Sequence, residues 1–109
     1  MSDDHDLLRA YAASCSESAF AQLVSHHLDF VYATALRLVA GDTHLAQDIS
    51  QTVFIDLARK ASSLLHQRSL EGWLYQATRF AAAKAVRTER PRAPREQKAV
   101  EEAAVMELT

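Results

Sequence analysis

The chain has 109 residues, which is enough for one domain with a buried core and too few for two. Two glycines and two prolines leave few places for the turns of a sheet, so composition argues against a strand-rich fold and predicts an all-α protein. Residues 1–58 hold eight acidic and two basic side chains, whereas residues 59–98 hold ten basic and three acidic ones, so we expect two partner surfaces, one of them polyanionic.

The first two predicted helices fill the N-terminal third of the chain. One runs from about Asp3 to Ala13, and the capping-box pattern of Ser14 with Glu17 predicts that the next begins there and continues to Ala40. Gly41 is placed to end it. The predicted buried stripe of this second helix is Phe20, Val24, His27, Val31, Ala35 and Leu38.

The third predicted helix contains the stretch "DISQTVFIDLARK" and runs from a cap at Asp42 or Thr43 to about Ala61. Because each residue advances about 100° around a helix, Ile55 falls opposite the apolar stripe and Phe54 lies between the two faces. An apolar centre with polar neighbours is typical of a protein-binding patch. The alternative is that both side chains contact the first helix or the C-terminal segment of the same chain. The stripe itself is Leu45, Ile49, Val53 and Leu57.

The fourth predicted helix follows the polar connector "SSLLHQR" and runs from about Leu70 to Glu89, with Ser69 as its cap. Its predicted buried stripe is Leu70, Leu74, Ala77, Ala81 and Ala85, and its predicted outer face is Gln76, Arg79, Ala83, Arg87 and Arg90. Three aromatic residues, Trp73, Tyr75 and Phe80, flank that outer face.

Arginines beside aromatic rings on this helix suit single-stranded or melted nucleic acid. Arginine binds phosphates bidentately, and an aromatic ring can stack on an exposed base. The alternative is that Trp73 and Phe80 close the core while the arginines solvate an exposed helix.

The sequence contains no pattern that predicts catalysis or metal binding. His26 and His27 are adjacent and point about 100° apart on a helix, and we expect His27 to be a hydrogen-bonded core residue rather than a metal ligand. Nucleophile and phosphate-loop motifs are missing, so we expect no enzyme, no metal and no cofactor. The single Cys15 fits a reducing compartment, and without an apolar run of membrane-spanning length we expect a cytoplasmic protein.

The two stretches "AFAQLVSHHLDFVYATALRLVAGDTHLAQDISQTVFIDLARK" and "RSLEGWLYQATRFAAAKAVRTERPR" resemble region 2 of bacterial RNA polymerase sigma factors, of the extracytoplasmic-function type in the sigma-70 family. The resemblance covers about residues 3–92, and it rests on the ordered pair "DxxQxxF" and "GWLY". It implies a compact bundle of four helices over residues 1–90. Residues 91–109 would then be a linker, or a short C-terminal helix, leading to a region 4 domain.

The resemblance also implies two binding surfaces. The polymerase-binding residues, which would dock on the clamp helices of the largest catalytic subunit of core RNA polymerase, are Asp48, Gln51, Thr52, Phe54 and Ile55. The DNA-binding residues, which would face the non-template strand of the minus-ten promoter element, are Arg68, Trp73, Tyr75, Gln76, Arg79, Lys84, Arg87 and Arg90. An anti-sigma factor is a further partner that the resemblance allows.

Three departures from the family pattern limit which family properties we expect in this chain. Thr52 stands where many relatives have glutamate, and Phe80 and Lys84 stand where many have asparagine and aspartate. The sequence ends at Thr109 before any domain that would read the minus-thirty-five element, so we expect either an excised domain or a truncated protein. The competing interpretation is a helical protein-interaction module, for dimerisation or regulator binding, that does not bind DNA.

Overall fold

The computed structural model describes residues 3–89, which form four α-helices and one short 3-10 helix. The α-helices are α1 (Asp4–Ser14), α2 (Glu17–Leu38), α3 (Thr43–Lys60) and α4 (Leu70–Glu89), and the 3-10 helix is Ser63–His66. No strand occurs within residues 3–89, and the all-α prediction is confirmed. The linker or short C-terminal helix expected at residues 91–109 lies outside the described residues.

Each α-helix begins at a polar residue whose side chain accepts a backbone amide hydrogen. Asp42 Oδ1 accepts from Leu45 at 3.0 Å, and Ser69 Oγ accepts from Gly72 at 3.0 Å, as predicted. Before α2 the capping residue is Ser16, whose Oγ accepts from Ala19 at 3.2 Å. The predicted capping box at Ser14 is therefore wrong, because Ser14 is the last residue of α1 and donates back to its own helix.

Helix α2 ends two residues before the predicted Ala40. Ala40 has a φ of 55° and Gly41 a φ of 85°, so both lie in the left-handed region that stops a helix. The amide of Gly41 donates to the carbonyl of Leu36 at 2.9 Å, which satisfies one of the free carbonyls at the helix end. This sharp turn brings α3 back along α2.

The core lies between α2, α3 and α4, with α1 packed against α2. Leu7 and Leu8 of α1 and Leu64 of the 3-10 helix close it at one side, so the connector predicted as polar also contributes to the core. The largest fully buried side chains are Leu23 and Val31 of α2, Ile49, Val53 and Leu57 of α3, and Leu74 and Thr78 of α4.

The predicted stripe of α2 is confirmed only in its second half. His27, Val31, Ala35 and Leu38 are buried, whereas Phe20 and Val24 are half-buried. Leu23 takes the central place in the first half because α1 packs there and turns that face of α2 inward.

Helix α4 is turned by about one residue from its predicted orientation. Leu74, Thr78, Ala82 and Val86 form its most buried line, and Ala77, Ala81 and Ala85 are only half-buried. Ala83, placed on the exposed face by prediction, is 8% exposed and therefore belongs to the core side. A buried threonine is tolerated because its hydroxyl donates to the carbonyl of Leu74 at 2.7 Å.

Candidate functional site

The outward face of α3 carries an isolated apolar side chain among polar ones. Ile55 is 57% exposed, as the helical periodicity predicts, and Asp48, Gln51 and Thr52 are also exposed. The Thr52 hydroxyl donates to the carbonyl of Asp48 at 3.0 Å, so part of its hydrogen-bonding capacity is used within the helix. This face can offer an apolar contact together with carboxylate and amide groups.

Phe54 is more buried than the expected half-buried position, with 7% of its surface exposed. Its ring belongs to the core cluster, yet it also lines a surface groove between α2 and α3. Phe54 therefore shapes the floor of that groove, and the exposed apolar contact comes from its neighbour Ile55.

The groove between α2 and α3 has a volume of about 690 Å³ and is open to solvent along its length. Leu28, at 42% exposure, lines the groove, and its polar residues are Asp29, Gln47, Ser50 and Gln51. The apolar lining consists of Phe20, Val24, Leu28 and Tyr32 from α2 and Phe54, Ile55 and Ala58 from α3.

Sequence reasoning missed Leu28 and Tyr32 as parts of a surface. The signal was present, because positions 20, 24, 28 and 32 of α2 are all large and apolar at a spacing of four residues. The predicted stripe joins Phe20 and Val24 to the buried line through His27 and Val31, and so leaves out Leu28 and Tyr32. The Tyr11 ring of α1, 4.8 Å from the Phe20 ring, supports the end of this wall.

The second candidate surface is the outer face of α4 together with Arg68 in the loop before the helix. Arg68, Gln76, Lys84 and Arg87 are exposed there, while Arg90 lies outside the described residues. Arg79 is half-buried, with its guanidinium carbon 5.6 Å from the centroid of the Tyr75 ring, a cation–π geometry.

The aromatic residues of α4 do not behave alike. Trp73 is half-buried and packs against the core, and Tyr75 is half-buried with its ring 6.4 Å from Phe30 of α2. Phe80 is 75% exposed. The alternative that Trp73 and Phe80 together close the core therefore applies to Trp73 alone.

The two candidate surfaces adjoin between α3 and α4. Asp48 and Thr52 of the α3 face share a hollow of about 240 Å³ with Lys84 of the α4 face. A partner bound along the outer face of α3 therefore lies next to any ligand bound along the outer face of α4.

A cluster of ionisable groups fastens α1 to α2. Asp4 Oδ2 lies 2.6 Å from Nε2 of the buried His27, and Asp4 Oδ1 lies 3.1 Å from Nδ1 of His26. Burial of the Asp4 carboxyl acts to raise its pKa, but the hydrogen bonds and positive charge of the two histidines outweigh it, and the pKa is lowered from the usual 3.8. The prediction of a hydrogen-bonded core histidine at His27 is confirmed.

At the same end of the molecule, α1 also contacts the 3-10 helix that precedes α4. His5 Nε2 lies 3.0 Å from the carbonyl oxygen of Leu65 in the 3-10 helix. A hollow of about 250 Å³ there is lined by Asp4, His27 and Arg68 among others. Within residues 3–89, no group of three or more His, Cys, Asp or Glu side chains could hold a metal ion.

Both surfaces fall inside one family match. The Sigma-70 region 2 family model matches residues 23–92, which include most of α2 and all of α3 and α4. The chain belongs to the sigma-70 region 2 family. No curated protein and no solved structure matches it significantly.

Membership of the sigma-70 region 2 family sets the broad role of the domain. Sigma region 2 takes part in promoter recognition and in binding core RNA polymerase, and it is a transcription factor domain rather than a known enzyme family. Helix α1 lies outside the matched range, so the cluster at Asp4 joins a helix beyond the family core to one within it. No helix in the described part of this sigma domain is both long and apolar enough to cross a membrane.

Proposed function

We propose that the chain is region 2 of an extracytoplasmic-function sigma factor that works in the cytoplasm as an initiation module. The outer face of α3 binds core RNA polymerase, and the outer face of α4, with the loop before it, captures the melted non-template strand of the minus-ten element. The single observation that carries this proposal is the family match over residues 23–92, which includes both exposed faces.

Exposure and side-chain chemistry support α3 as the polymerase-binding surface. Ile55 leaves more than half of its surface in water, and covering it in a complex recovers free energy at about 25 cal/mol per Å². Asp48 and Gln51 beside it supply polar contacts that fix orientation. Thr52, exposed on the same face, completes this set.

The adjoining groove supports a helical partner. Helices that bind other helices place apolar side chains into grooves of this kind, with polar groups along the rim. Phe54 and Leu28 line the groove on opposite helices, and Gln51 lies at its edge. The clamp helices of the largest polymerase subunit are the partner that the family implies.

Cations and rings along α4 support the DNA-binding assignment. Arg68, Lys84 and Arg87 are exposed and can contact phosphates, and the Tyr75 ring orients Arg79 before any strand arrives. Gln76 on the same face can donate to and accept from a base edge. Trp73, which packs on the core, holds α4 in place from beneath.

No covalent chemistry is required of this chain. Capturing an unpaired base offsets the few kcal/mol that unpairing costs, and basic side chains hold the phosphates in register.

The two surfaces adjoin, because Lys84 shares a hollow with Asp48 and Thr52. This adjacency favours a single assembly in which the polymerase and the DNA strand are bound side by side.

The second candidate function is a protein-interaction module that does not bind DNA, and the apolar groove between α2 and α3 favours it. Binding of the chain to a fluorescent oligonucleotide, single-stranded or annealed to its complement, separates the two. The proposed function predicts a preference for the single strand that weakens as salt rises. No binding, or binding that salt does not change, would support the interaction module instead.

A further inference from the structure

Phe80 is the most exposed large apolar side chain in residues 3–89, at 75%, ahead of Ile55 and Leu28. Those two line the groove between α2 and α3, whereas Phe80 projects from α4. A phenylalanine ring in water is unfavourable by the free energy that its burial would recover, so its exposure suggests a ligand.

The surroundings of Phe80 are cationic and polar. Gln76 lies one turn before it and Lys84 one turn after it on the same side of α4, and Arg87 follows two turns after it; all three are exposed. At 1.5 Å per residue, Lys84 is about 6 Å from Phe80 along the helix axis and Arg87 about 10.5 Å. A single exposed apolar ring followed by two cations on the same side of a helix differs from the core of a protein interface, where charged residues are depleted.

The other rings of α4 are already engaged. Tyr75 contacts Phe30 and carries the guanidinium of Arg79, and Trp73 packs on the core. Phe80 therefore offers the flat aromatic surface of α4 that an external ring can reach.

We infer that Phe80 is a stacking site for one unpaired nucleobase of single-stranded DNA. The inference rests on the proposed DNA-binding role of α4 and adds to it the side chain that holds a base. Every base has a flat face, so stacking on Phe80 is tolerant of sequence, while Lys84 and Arg87 bind the phosphates that follow. Base pairs within a duplex are stacked on each other and cannot reach the ring, which gives the site its selectivity for the open strand.

Three substitutions at this one position test the inference in the full chain. The probe is a fluorescein-labelled DNA strand of mixed sequence and about twelve nucleotides, whose dissociation constant is measured by anisotropy. Phe80→Ala should weaken binding about 5- to 20-fold, the lower part of the range for a stacked base. Phe80→Leu keeps apolar volume without a flat ring and should weaken binding nearly as much, whereas Phe80→Tyr should bind like the parent.

Salt dependence and folding complete the design. Phe80→Ala should leave the salt slope unchanged because a ring neutralises no phosphate, whereas Arg87→Ala should lower it. Thermal unfolding should be nearly the same for the parent and the Phe80 variants, since the side chain is exposed.

Two results would overturn the inference. Parent-like binding by Phe80→Ala or Phe80→Leu would remove the stacking site and leave the DNA-binding role of α4 standing. Failure of the parent chain itself to bind the strand would remove both. In the first case, altered sedimentation or altered polymerase capture by Phe80→Ala would make Phe80 a protein contact instead.

Discussion

The guanidinium carbon of Arg79 lies 5.6 Å from the centroid of the Tyr75 ring, and the Tyr75 ring lies 6.4 Å from that of Phe30. These contacts join the outer face of α4 to α2 and hold a positive charge in a fixed place. An ordered arginine loses less side-chain entropy when it binds a phosphate than a freely rotating one does.

Changing Arg79 and Arg87 to alanine together should weaken binding to single-stranded DNA and make it less sensitive to salt. Each lost phosphate contact removes about 0.7 from the slope of log affinity against log salt, so the slope should fall by about 1.4. The charge-matched control changes Arg9 and Arg37, which are exposed on α1 and α2, to alanine. Equal effects of the two double variants would mean that only net charge matters.

Replacing Asp4 by asparagine should lower the free energy of unfolding by about 1–2 kcal/mol, because the histidine hydrogen bonds lose their charged acceptor. The figure is below that for a buried pair because Asp4 is partly exposed. Asp6→Asn is the matched control on the same helix. Asp6 is exposed, and its ion pair with the exposed Arg9 is long, at 4.0 Å, so the substitution should change the free energy of unfolding by less than about 0.5 kcal/mol. Denaturant unfolding at neutral pH measures both variants.

The loss of stability in the Asp4→Asn variant should depend on pH. The folded-state pKa of Asp4 is lowered below the usual 3.8, so the ionised carboxylate adds stability that is fully present above that value. This contribution is lost as pH falls through the lower folded-state pKa. The stability difference between the parent and Asp4→Asn should therefore be largest above about pH 4 and shrink in stronger acid. A difference that stays constant across that range would exclude the charge as its cause.

Neighbouring apolar residues of α3 should respond very differently to truncation. Phe54→Ala should cost about 3 kcal/mol of stability, because the ring is buried in the core cluster. Ile55→Ala should cost less than about 1 kcal/mol, because most of the side chain is already in water. Thermal unfolding measures both, and similar losses would contradict the placement of Ile55 on the surface. A binding test should therefore change Ile55 and leave Phe54 intact.

Helix periodicity predicted the architecture and the exposure of Ile55 because both depend on side-chain spacing along one helix. The errors have a different origin. Ser14 and Ser16 are both plausible caps in "SCSE", and only the left-handed turn at Cys15, whose φ is 54°, decides between them. Ala83 was misplaced because α4 is so rich in alanine that several rotations about its axis are nearly equivalent by hydrophobicity.

The candidate surfaces were predictable in part. Apolar residues off the main stripe of α3 pointed to a docking face, but the groove beside it needs two helices in contact, which no single-helix pattern contains. The exposure of Phe80 is a similar case, since its position on α4 allowed both a core role and a surface role until the rotation of the helix was fixed.

Capture of purified core RNA polymerase by the immobilised chain, with and without Gln51→Ala combined with Ile55→Ala, tests the central claim most directly. The double variant should fold like the parent and capture at least about tenfold less polymerase, since one exposed apolar contact and its polar neighbour are removed. Gln22→Ala is the control, because Gln22 is exposed on α2 and does not line the groove. Undiminished capture by the folded double variant, or no capture by the parent, would contradict the assignment of this face to polymerase.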